Sequence, residues 1–221
     1  GLGDVYKRQG ESPTLDDEEH IGVIAKVTRR VHMQGGKGKT VVIGGTGSNS
    51  TRGAITLSKK AVDVGVDAVM IVMPYYNKPT QAGLVEHCVA IARAARAEAH
   101  ADLDPAVVHL VEDRDAHALE HAADGDRRRR RRESARRERH VEHCVAIARA
   151  VESTPVVLYN VPGRTASDLL PDSVEAITRA ASNVVAIKEA TGNILRAQEL
   201  HRRLGDRLTV LSGDDALFRE D

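Results

Sequence analysis

Strand-like and helix-like segments alternate along this sequence, and that order restricts the possible folds more than any other feature. Short apolar runs predict strands at residues 40–43, 68–73, 155–159, 184–187 and 208–211. Amphipathic stretches predict helices at 15–32, 52–64, 141–153 with its copy from Val85, 170–181 and 194–204. Strands separated by helices of this kind form βαβ units with a parallel sheet. We therefore expect an α/β fold, either an open sheet or an incomplete barrel.

One predicted strand ends in a lysine. The run 184–187 is apolar throughout, and Lys188 and Glu189 follow it directly before a turn at Gly192. Catalytic residues of α/β barrels lie at the C-terminal ends of strands. Apolar surroundings there would lower the lysine pKa, and a neutral amine can attack a carbonyl to form a Schiff base. The alternative is a solvent-exposed lysine at a strand end.

Length and composition narrow the class of protein. The chain has 221 residues, which is short for a complete eight-stranded barrel of ~250 residues. Lys+Arg and Asp+Glu number 32 each, so net charge indicates no polyanionic partner. No apolar stretch approaches a membrane span of ~18 residues. With only 2 Cys, we expect no disulfide framework and a cytoplasmic location.

A ten-residue segment occurs twice. Residues 85–94 and 141–150 have the same sequence, and each contains a Glu-His-Cys triplet. Structural repeats normally diverge, so an identical pair indicates a recent duplication or an error in assembling the sequence. The spacing of the His and Cys residues does not match a metal-ligand motif, and no metal site is predicted.

The segment between the two copies differs in composition from its flanks. Residues 95–140, called the Arg-rich segment below, contain an unbroken run of arginines at 127–132 and no aromatic residue. Such a composition buries little apolar surface, so we expect a disordered, loosely packed or partly helical insert. A basic run can also bind nucleic acid, but no aromatic side chain offers a stacking surface here. The segment therefore divides the chain into 10–94 and 141–221, after a dissimilar start at 1–9.

The loops that follow the predicted strands carry the polar and aromatic residues from which a site could be built. Three of the 4 tyrosines of the chain lie there, although aromatic residues make up only 2% of the sequence. They are Tyr75, Tyr76 and Tyr159. Because loops at the C-terminal edge of a parallel sheet bind ligands, the sequence predicts a site at this edge.

Several motifs appear in a fixed order along the chain. They are Gly-Glu-Ser-Pro-Thr-Leu from Gly10, Gly-Thr-Gly-Ser-Asn from Gly45, Pro-Tyr-Tyr-Asn-Lys-Pro-Thr-Gln from Pro74, Tyr-Asn-Val-Pro-Gly-Arg-Thr from Tyr159, Ile-Lys-Glu-Ala-Thr-Gly from Ile187 and Leu-Ser-Gly-Asp-Asp from Leu211. Together they resemble the dihydrodipicolinate synthase family of pyruvate-dependent class I aldolases. The resemblance covers about 10–94 and 141–221, and it implies a (β/α)8 barrel with about strands 3–7 present.

The resemblance also implies roles for individual residues. Lys188 would form a Schiff base with pyruvate, and Tyr159 would act as the proton donor and acceptor. Tyr76 would be lent to a neighbouring subunit as a proton relay, in a homotetramer built as a dimer of dimers. Arg164 would bind the carboxylate of L-aspartate 4-semialdehyde, with Gly213 as a further substrate-binding residue. The family implies no cofactor, and neither nucleic acid nor a membrane is an expected partner.

The sequence departs from the family pattern at several places. Arg8 and Gln9 stand where the family has a Thr-Thr pair, and segments corresponding to strands 1, 2 and 8 are not found. Residues of a possible lysine-regulatory site match at Ser12, His20, Asn49 and Tyr75. Gly53 replaces a glutamate expected there, so regulation by lysine stays open.

Two alternatives remain at this stage. A sister aldolase that cleaves N-acetylneuraminate or a 2-keto-3-deoxy sugar acid would share Lys188 and Tyr159. The chain could instead be an inactive fragment of the synthase, or a binding module based on the arginine run.

Overall fold

The structure, a computed structural model, describes residues 12–36, 38–77, 79–99, 106–110, 126–151, 154–165 and 167–213. Its strands are β1 (Ile43–Gly45), β2 (Ala68–Ile71), β3 (Ala106–Leu110), β4 (Val156–Asn160), β5 (Val184–Glu189) and β6 (Thr209–Ser212). Its α-helices are α1 (Asp17–Val31), α2 (Thr51–Asp63), α3 (Gln81–Glu98), α4 (Asp126–Ala150), α5 (Pro162–Thr165), α6 (Pro171–Ala180) and α7 (Ile194–Leu204).

Side-chain caps fix the start of several helices. The Asp16 carboxylate accepts the N–H groups of Glu18 and Glu19, and the Glu19 side chain accepts the N–H of Asp16 in return. This capping box satisfies donors that would otherwise lack partners in the first turn. Ser50, Thr80 and Asn193 cap α2, α3 and α7 through one bond each, in which the side-chain oxygen accepts a backbone N–H of the first turn. Helix starts are thus set by local sequence.

The six strands form one parallel sheet in the order of the chain, from β1 to β6. Right-handed crossovers between sequential neighbours place all the connecting helices on the same face of such a sheet. Within the described residues, β1 and β6 each pair with a single strand. The expected α/β fold with a parallel sheet is confirmed.

Alternate residues of the strands enter two separate apolar clusters. Val69 and Leu158 belong to the large core that the helices cover. Met70, Val157 and Tyr159 belong to a smaller cluster that contains no helical residue. The sheet therefore has a helix-covered face and an inner face, and Tyr159 lies on the inner face.

The expectation of five strands is wrong, because the structure contains a sixth strand within the Arg-rich segment. Strand β3 lies between β2 and β4, where Val107 is in register with both Val69 and Val156. Four of its five residues are apolar, and this run is enough to continue the parallel ladder. Residues 126–140 are helical and continue into the second copy of the duplicated segment. The expectations for 100–105 and 111–125 lie outside the described residues.

The two copies of the duplicated segment occupy equivalent positions in consecutive helix–strand units. One copy lies in α3 before β3, and the other ends α4 before β4. Cys88 and Cys144 are both fully buried, as are Ile91 and Ile147. Burial raises the pKa of the Cys144 thiol to about 12, so it stays protonated at neutral pH. Identical sequences thus bury the same face twice.

The other predicted elements agree with the structure within a few residues. The helix 194–204 is reproduced as α7, whereas the first strand begins three residues later than predicted, at Ile43. The N–H of Val42 is held instead by the Asp67 carboxylate at 2.8 Å. In the described part of the chain, no helix combines the length and apolar character needed to cross a membrane.

Burial of His143 on α4 makes the fold sensitive to acid. Burial, with a smaller contribution from His140, lowers the pKa of His143 from 6.5 to about 4. Protonation therefore favours the unfolded chain: the stabilisation is complete above pH 6.5 and is lost as the pH falls towards 4. This loss amounts to at most about 3 kcal/mol.

We expect His143→Gln to flatten the pH dependence of the free energy of unfolding between pH 6.5 and 4, measured by urea titration. The dependence should be reduced rather than removed, because burial also lowers the pKa of His87. His201→Gln on the exposed face of α7 is the matched control. Equal acid sensitivity in the two variants would contradict this expectation.

Candidate active site

Two predicted residues meet at the C-terminal ends of β4 and β5. Tyr159 and Lys188 are register partners on the neighbouring strands. The Lys188 Nζ lies 4.5 Å from the centre of the Tyr159 ring. Their side chains are buried, with exposed fractions of 8% for Lys188 and 7% for Tyr159. An amine against an aromatic face and shielded from water is well placed for chemistry on a carbonyl group.

A β-bulge directs Lys188 towards Tyr159. Val156 pairs with Val184, whereas the next residue, Val157, pairs with Ala186, so Val185 is an extra residue in β5. Val184 belongs to the helix-covered core and Ala186 to the inner cluster. Because side chains alternate between faces, the bulge moves Lys188 from the helix-covered face to the inner face.

The surroundings of Tyr159 keep its phenol protonated at neutral pH. Burial raises the Tyr159 pKa above 10, and the positive charge of Arg164 opposes this shift in part. Arg164 lies on α5, immediately after β4, and its side chain is exposed. The site therefore contains an amine, a phenol that can donate a proton and a nearby guanidinium group. The sequence predicted all three residues.

Gly213 lies at the same edge of the sheet, just after β6. Its N–H donates to the Glu189 carbonyl at 2.8 Å. A Cβ atom at this position would lie 2.5 Å from the Cβ of Ala190. A glycine is therefore required for the end of β6 to approach the loop after β5. This places the predicted substrate-binding residue beside the strand that carries Lys188.

Tyr76 is not packed against the other site residues. It lies in the loop after β2, its side chain is 96% exposed, and its φ of 70° is unusual for a bulky residue. Strand β3 separates β2 from the strand of Tyr159. Such backbone strain is often found at functional sites. The structure thus brings Lys188, Tyr159 and Arg164 together but leaves Tyr76 on the surface.

The four residues of the possible regulatory site lie near the ends of β1 and β2. Ser12 Oγ and His20 Nδ1 are 3.4 Å apart, and His20 Nε2 is 2.7 Å from the Gly45 carbonyl oxygen. Asn49 and Asn77 join the loops after β1 and β2, with the Asn77 amide donating to the Asn49 carbonyl at 3.0 Å. Tyr75 is more than half exposed. Arg8 and Gln9 lie outside the described residues.

A buried polar network beside Lys188 was not predicted as part of the site. Asn160 directly follows Tyr159, Glu189 directly follows Lys188, and both side chains are buried. The Asn160 amide donates to Glu189 and to Asp168, and Asp168 forms an ion pair with Arg196 on α7. The sequence did contain a signal for this network, namely a polar residue at the end of each of two otherwise apolar strands.

A cavity of about 640 Å³ lies between α7 and β6, lined by apolar residues such as Ile194, Leu208 and Val210. Glu189 lines it, whereas Lys188 and Tyr159 do not. We therefore place the candidate site at the strand ends, where the reactive groups lie. Among the described residues, no group of three or more His, Cys, Asp or Glu side chains could hold a metal ion.

Comparison with known proteins gives the same family as the motifs. Residues 6–114 and 134–221 match the model of the dihydrodipicolinate synthetase family, which leaves 1–5 and 115–133 unmatched. The 4-hydroxy-tetrahydrodipicolinate synthase of Sorangium cellulosum is 41% identical over 208 residues, which is 94% of this chain and 48% of that protein. The enzyme of the same name from Alkalilimnicola ehrlichii is 40% identical over 211 residues, covering 96% of this chain and 51% of that one.

Solved structures show the same similarity. The 4-hydroxy-tetrahydrodipicolinate synthase of Methylacidiphilum fumariolicum has a TM-score of 0.50 and 32% identity, covering 94% of this chain and 48% of that one. The lysine-bound dihydrodipicolinate synthase of Cyanidioschyzon merolae has a TM-score of 0.50 and 31% identity, covering 94% and 50%. The chain thus spans about half the length of the curated relatives it matches.

Proposed function

The chain belongs to the dihydrodipicolinate synthetase family, and we propose that Lys188 forms a Schiff base with pyruvate for condensation with L-aspartate 4-semialdehyde. The product is 4-hydroxy-tetrahydrodipicolinate, an intermediate of lysine and diaminopimelate biosynthesis. One observation carries this proposal: the buried Lys188 Nζ lies 4.5 Å from the centre of the Tyr159 ring. The names of the curated relatives favour this lyase over the sister aldolases.

The described sheet is best understood, within this proposal, as an open arc of the family's (β/α)8 barrel. Strands β1, β2, β4, β5 and β6 carry the family motifs and correspond to strands 3–7 of that barrel. Strand β3 lies between two of them as an additional strand that carries none of these motifs, although the family model matches the chain up to residue 114. The inner face with Tyr159 and Lys188 corresponds to the barrel interior.

The proposed chemistry assigns a step to each residue. The Lys188 amine, once deprotonated, attacks the ketone carbon of pyruvate, and loss of water gives an iminium ion that withdraws electrons from the methyl group. Loss of a methyl proton then gives an enamine, which attacks the aldehyde carbon of the semialdehyde. The amine of that substrate displaces Lys188 as the ring closes. No cofactor is needed.

Tyr159 supplies and accepts protons in this sequence. Its raised pKa keeps the phenol protonated, so it can donate a proton to the hydroxyl that leaves during iminium formation. Arg164 holds the carboxylate of the semialdehyde, since a planar guanidinium can bind a carboxylate through two hydrogen bonds. The exposure and the positive φ of Tyr76 support its proposed role in a neighbouring subunit of a homo-oligomer.

Regulation by lysine is part of the same proposal in a weakened form. Ser12, His20, Asn49 and Tyr75 would face the effector at the ends of β1 and β2. The expected glutamate is Gly53 in this chain, so no carboxylate is available there to pair with the ammonium group. A lysine effector would therefore bind weakly.

An aldehyde panel tests the substrate. With pyruvate present, we expect more pyruvate consumption with L-aspartate 4-semialdehyde than with N-acetylmannosamine or glyceraldehyde. Because Arg164 binds the carboxylate, Arg164→Leu should remove this preference, whereas Arg202→Leu on the exposed face of α7 should retain it. The change should be about tenfold or more, as expected for loss of a charged hydrogen-bonded partner of 1.5–3 kcal/mol. A preference for a sugar aldehyde would instead favour a sister aldolase.

A further inference from the structure

Asn160 uses every hydrogen-bonding group of its side chain at the edge of the sheet that carries Lys188. Its side chain is 1% exposed. The Oδ1 atom accepts the N–H of Leu169 at 3.0 Å. The Nδ2 atom donates to Asp168 Oδ1 at 3.0 Å and to Glu189 Oε2 at 3.1 Å. One acceptor and two donors are matched, so the orientation of the amide is determined.

These bonds link the three segments that carry the candidate catalytic residues. Tyr159 precedes Asn160 in β4, and Glu189 follows Lys188 in β5. Leu169 lies at the end of the loop that begins with α5 and Arg164. We propose that Asn160 is a positioning residue that holds Lys188 over the Tyr159 ring and fixes the Arg164 loop. Its role in chemistry rests on the proposed function.

Asn160 can hold the strand ends in place because its amide lies between two carboxylates, those of Asp168 and Glu189. Glu189 is buried, and besides Asn160 its carboxylate accepts the N–H of Thr191 at 2.9 Å. Asp168 is paired with Arg196 on α7. A buried carboxylate that loses a donor pays a desolvation cost. Without the amide, Glu189 would turn towards water, and the end of β5 with Lys188 would move with it.

The Asn160–Glu189 bond lies at the end of the part of the ladder whose register the bulge at Val185 shifts. An extra residue disrupts the ladder between β4 and β5 only a few residues before Lys188. Beyond the bulge the ladder resumes from Val157–Ala186 to Asn160–Glu189. At its end, a backbone bond from the Ala190 N–H to the Asn160 carbonyl at 2.9 Å and the Asn160–Glu189 side-chain bond add to the ladder. The side-chain bond is the one that a substitution can remove.

The test compares Asn160→Leu with a matched control at the other end of the same two strands. Asn183 precedes β5, and its amide also makes two hydrogen bonds, donating to the carbonyls of Ala148 at 2.8 Å and Thr154 at 3.0 Å. Asn183→Leu therefore removes a similar number of bonds far from Lys188. Asn160→Asp keeps the size of the side chain and its acceptor atom but replaces the donor with a third carboxylate.

Two measurements on the full chain separate position from chemistry. The first is the NMR resonance of the Lys188 ε-carbon in protein labelled with ¹³C-lysine, without pyruvate, assigned by its absence in Lys188→Arg. The ring of Tyr159 shifts this resonance, so it reports on the position of the Lys188 side chain. The second is the rate of pyruvate attachment trapped by borohydride, measured as a function of pH.

We expect Asn160→Leu to move the Lys188 resonance and to lower the trapping rate by tenfold or more, because a displacement of ~1 Å costs about 10²-fold. Its pH profile should change as well. Asn183→Leu should leave the resonance unchanged and the rate within about twofold. Asn160→Asp should behave like Asn160→Leu, and adding Glu189→Gln to Asn160→Asp should restore part of the rate by reversing donor and acceptor.

An unchanged Lys188 resonance and trapping rate in Asn160→Leu would overturn the positioning role. Equal losses in Asn160→Leu and Asn183→Leu would overturn it too, since they would indicate general destabilisation. If Asn160→Leu fails to fold, the comparison between Asn160→Asp and its double variant with Glu189→Gln decides the matter. If the Lys188 resonance moves in Asn160→Leu but the unmodified chain traps no pyruvate, the proposed function is contradicted and the positioning role stands.

Discussion

The 221-residue chain is expected to convert pyruvate and aspartate semialdehyde ~10²–10⁴-fold more slowly than a repaired version, although it retains Lys188, Tyr159 and Arg164. One cause is β3, which adds a strand spacing of ~4.8 Å between the loop of Tyr76 and the strand of Tyr159. A second cause is that the sheet is open among the described residues, where β1 and β6 each have one strand neighbour. A site whose groups are displaced by even ~1 Å loses about 10²-fold in rate.

The residues at the start of the chain contribute further. By the family resemblance, Arg8 and Gln9 stand in place of two threonines, whose hydroxyls would bind the pyruvate carboxylate and pass protons. An arginine in place of a threonine does not relay a proton at neutral pH, because a guanidinium group does not lose its proton. The losses of rate from these two positions, from β3 and from the open sheet should combine.

The repair follows from the same causes. It deletes 85–140, so that a single copy of the duplicated segment connects β2 to β4. It also replaces Arg8 and Gln9 with threonine. Steady-state turnover of the two proteins is the measurement, with Lys188→Arg in the repaired chain as the blank. Near-equal turnover by the unrepaired chain would contradict the expected damage.

The second expected result is that Lys188→Arg abolishes covalent attachment of pyruvate. Arginine retains positive charge but stays protonated in proteins, so it cannot supply the neutral nitrogen that attacks a ketone. Lys60→Arg, on the exposed side of α2, is the matched control and should retain full labelling. Intact-protein mass spectrometry after borohydride treatment measures the labelled fraction. Equal labelling of the two variants would remove Lys188 from the mechanism.

The parts of the fold that depend on local sequence could be predicted. Helix α7 follows from its amphipathic pattern and the Asn193 cap, and β5 follows from its apolar run. Lys188 and Tyr159 could be predicted as site residues for the same reason, since each stands at the end of such a run. Their facing arrangement was implied only through the family resemblance.

Features that depend on distant contacts could not be predicted. Strand β3 is five residues long within a highly charged segment, and its place is set by pairing with β2 and β4. The bulge at Val185 depends on the register between β4 and β5. The Asn160 network joins residues as far apart in sequence as Asn160 and Glu189, and composition gives no indication of such a contact. The deletion of 85–140 will show whether β3 is needed for folding. We still expect the protein without it to be soluble and no less stable.

The most direct test of the proposed mechanism is to locate the trapped pyruvate in the unmodified chain. The protein is incubated with pyruvate and borohydride and digested, and its peptides are analysed by tandem mass spectrometry. We expect one reduced pyruvyl group per labelled chain, attached to the Lys188 nitrogen. Labelling of another lysine such as Lys78, or no labelling in the presence of excess pyruvate, would contradict the assignment of Lys188 as the Schiff-base residue.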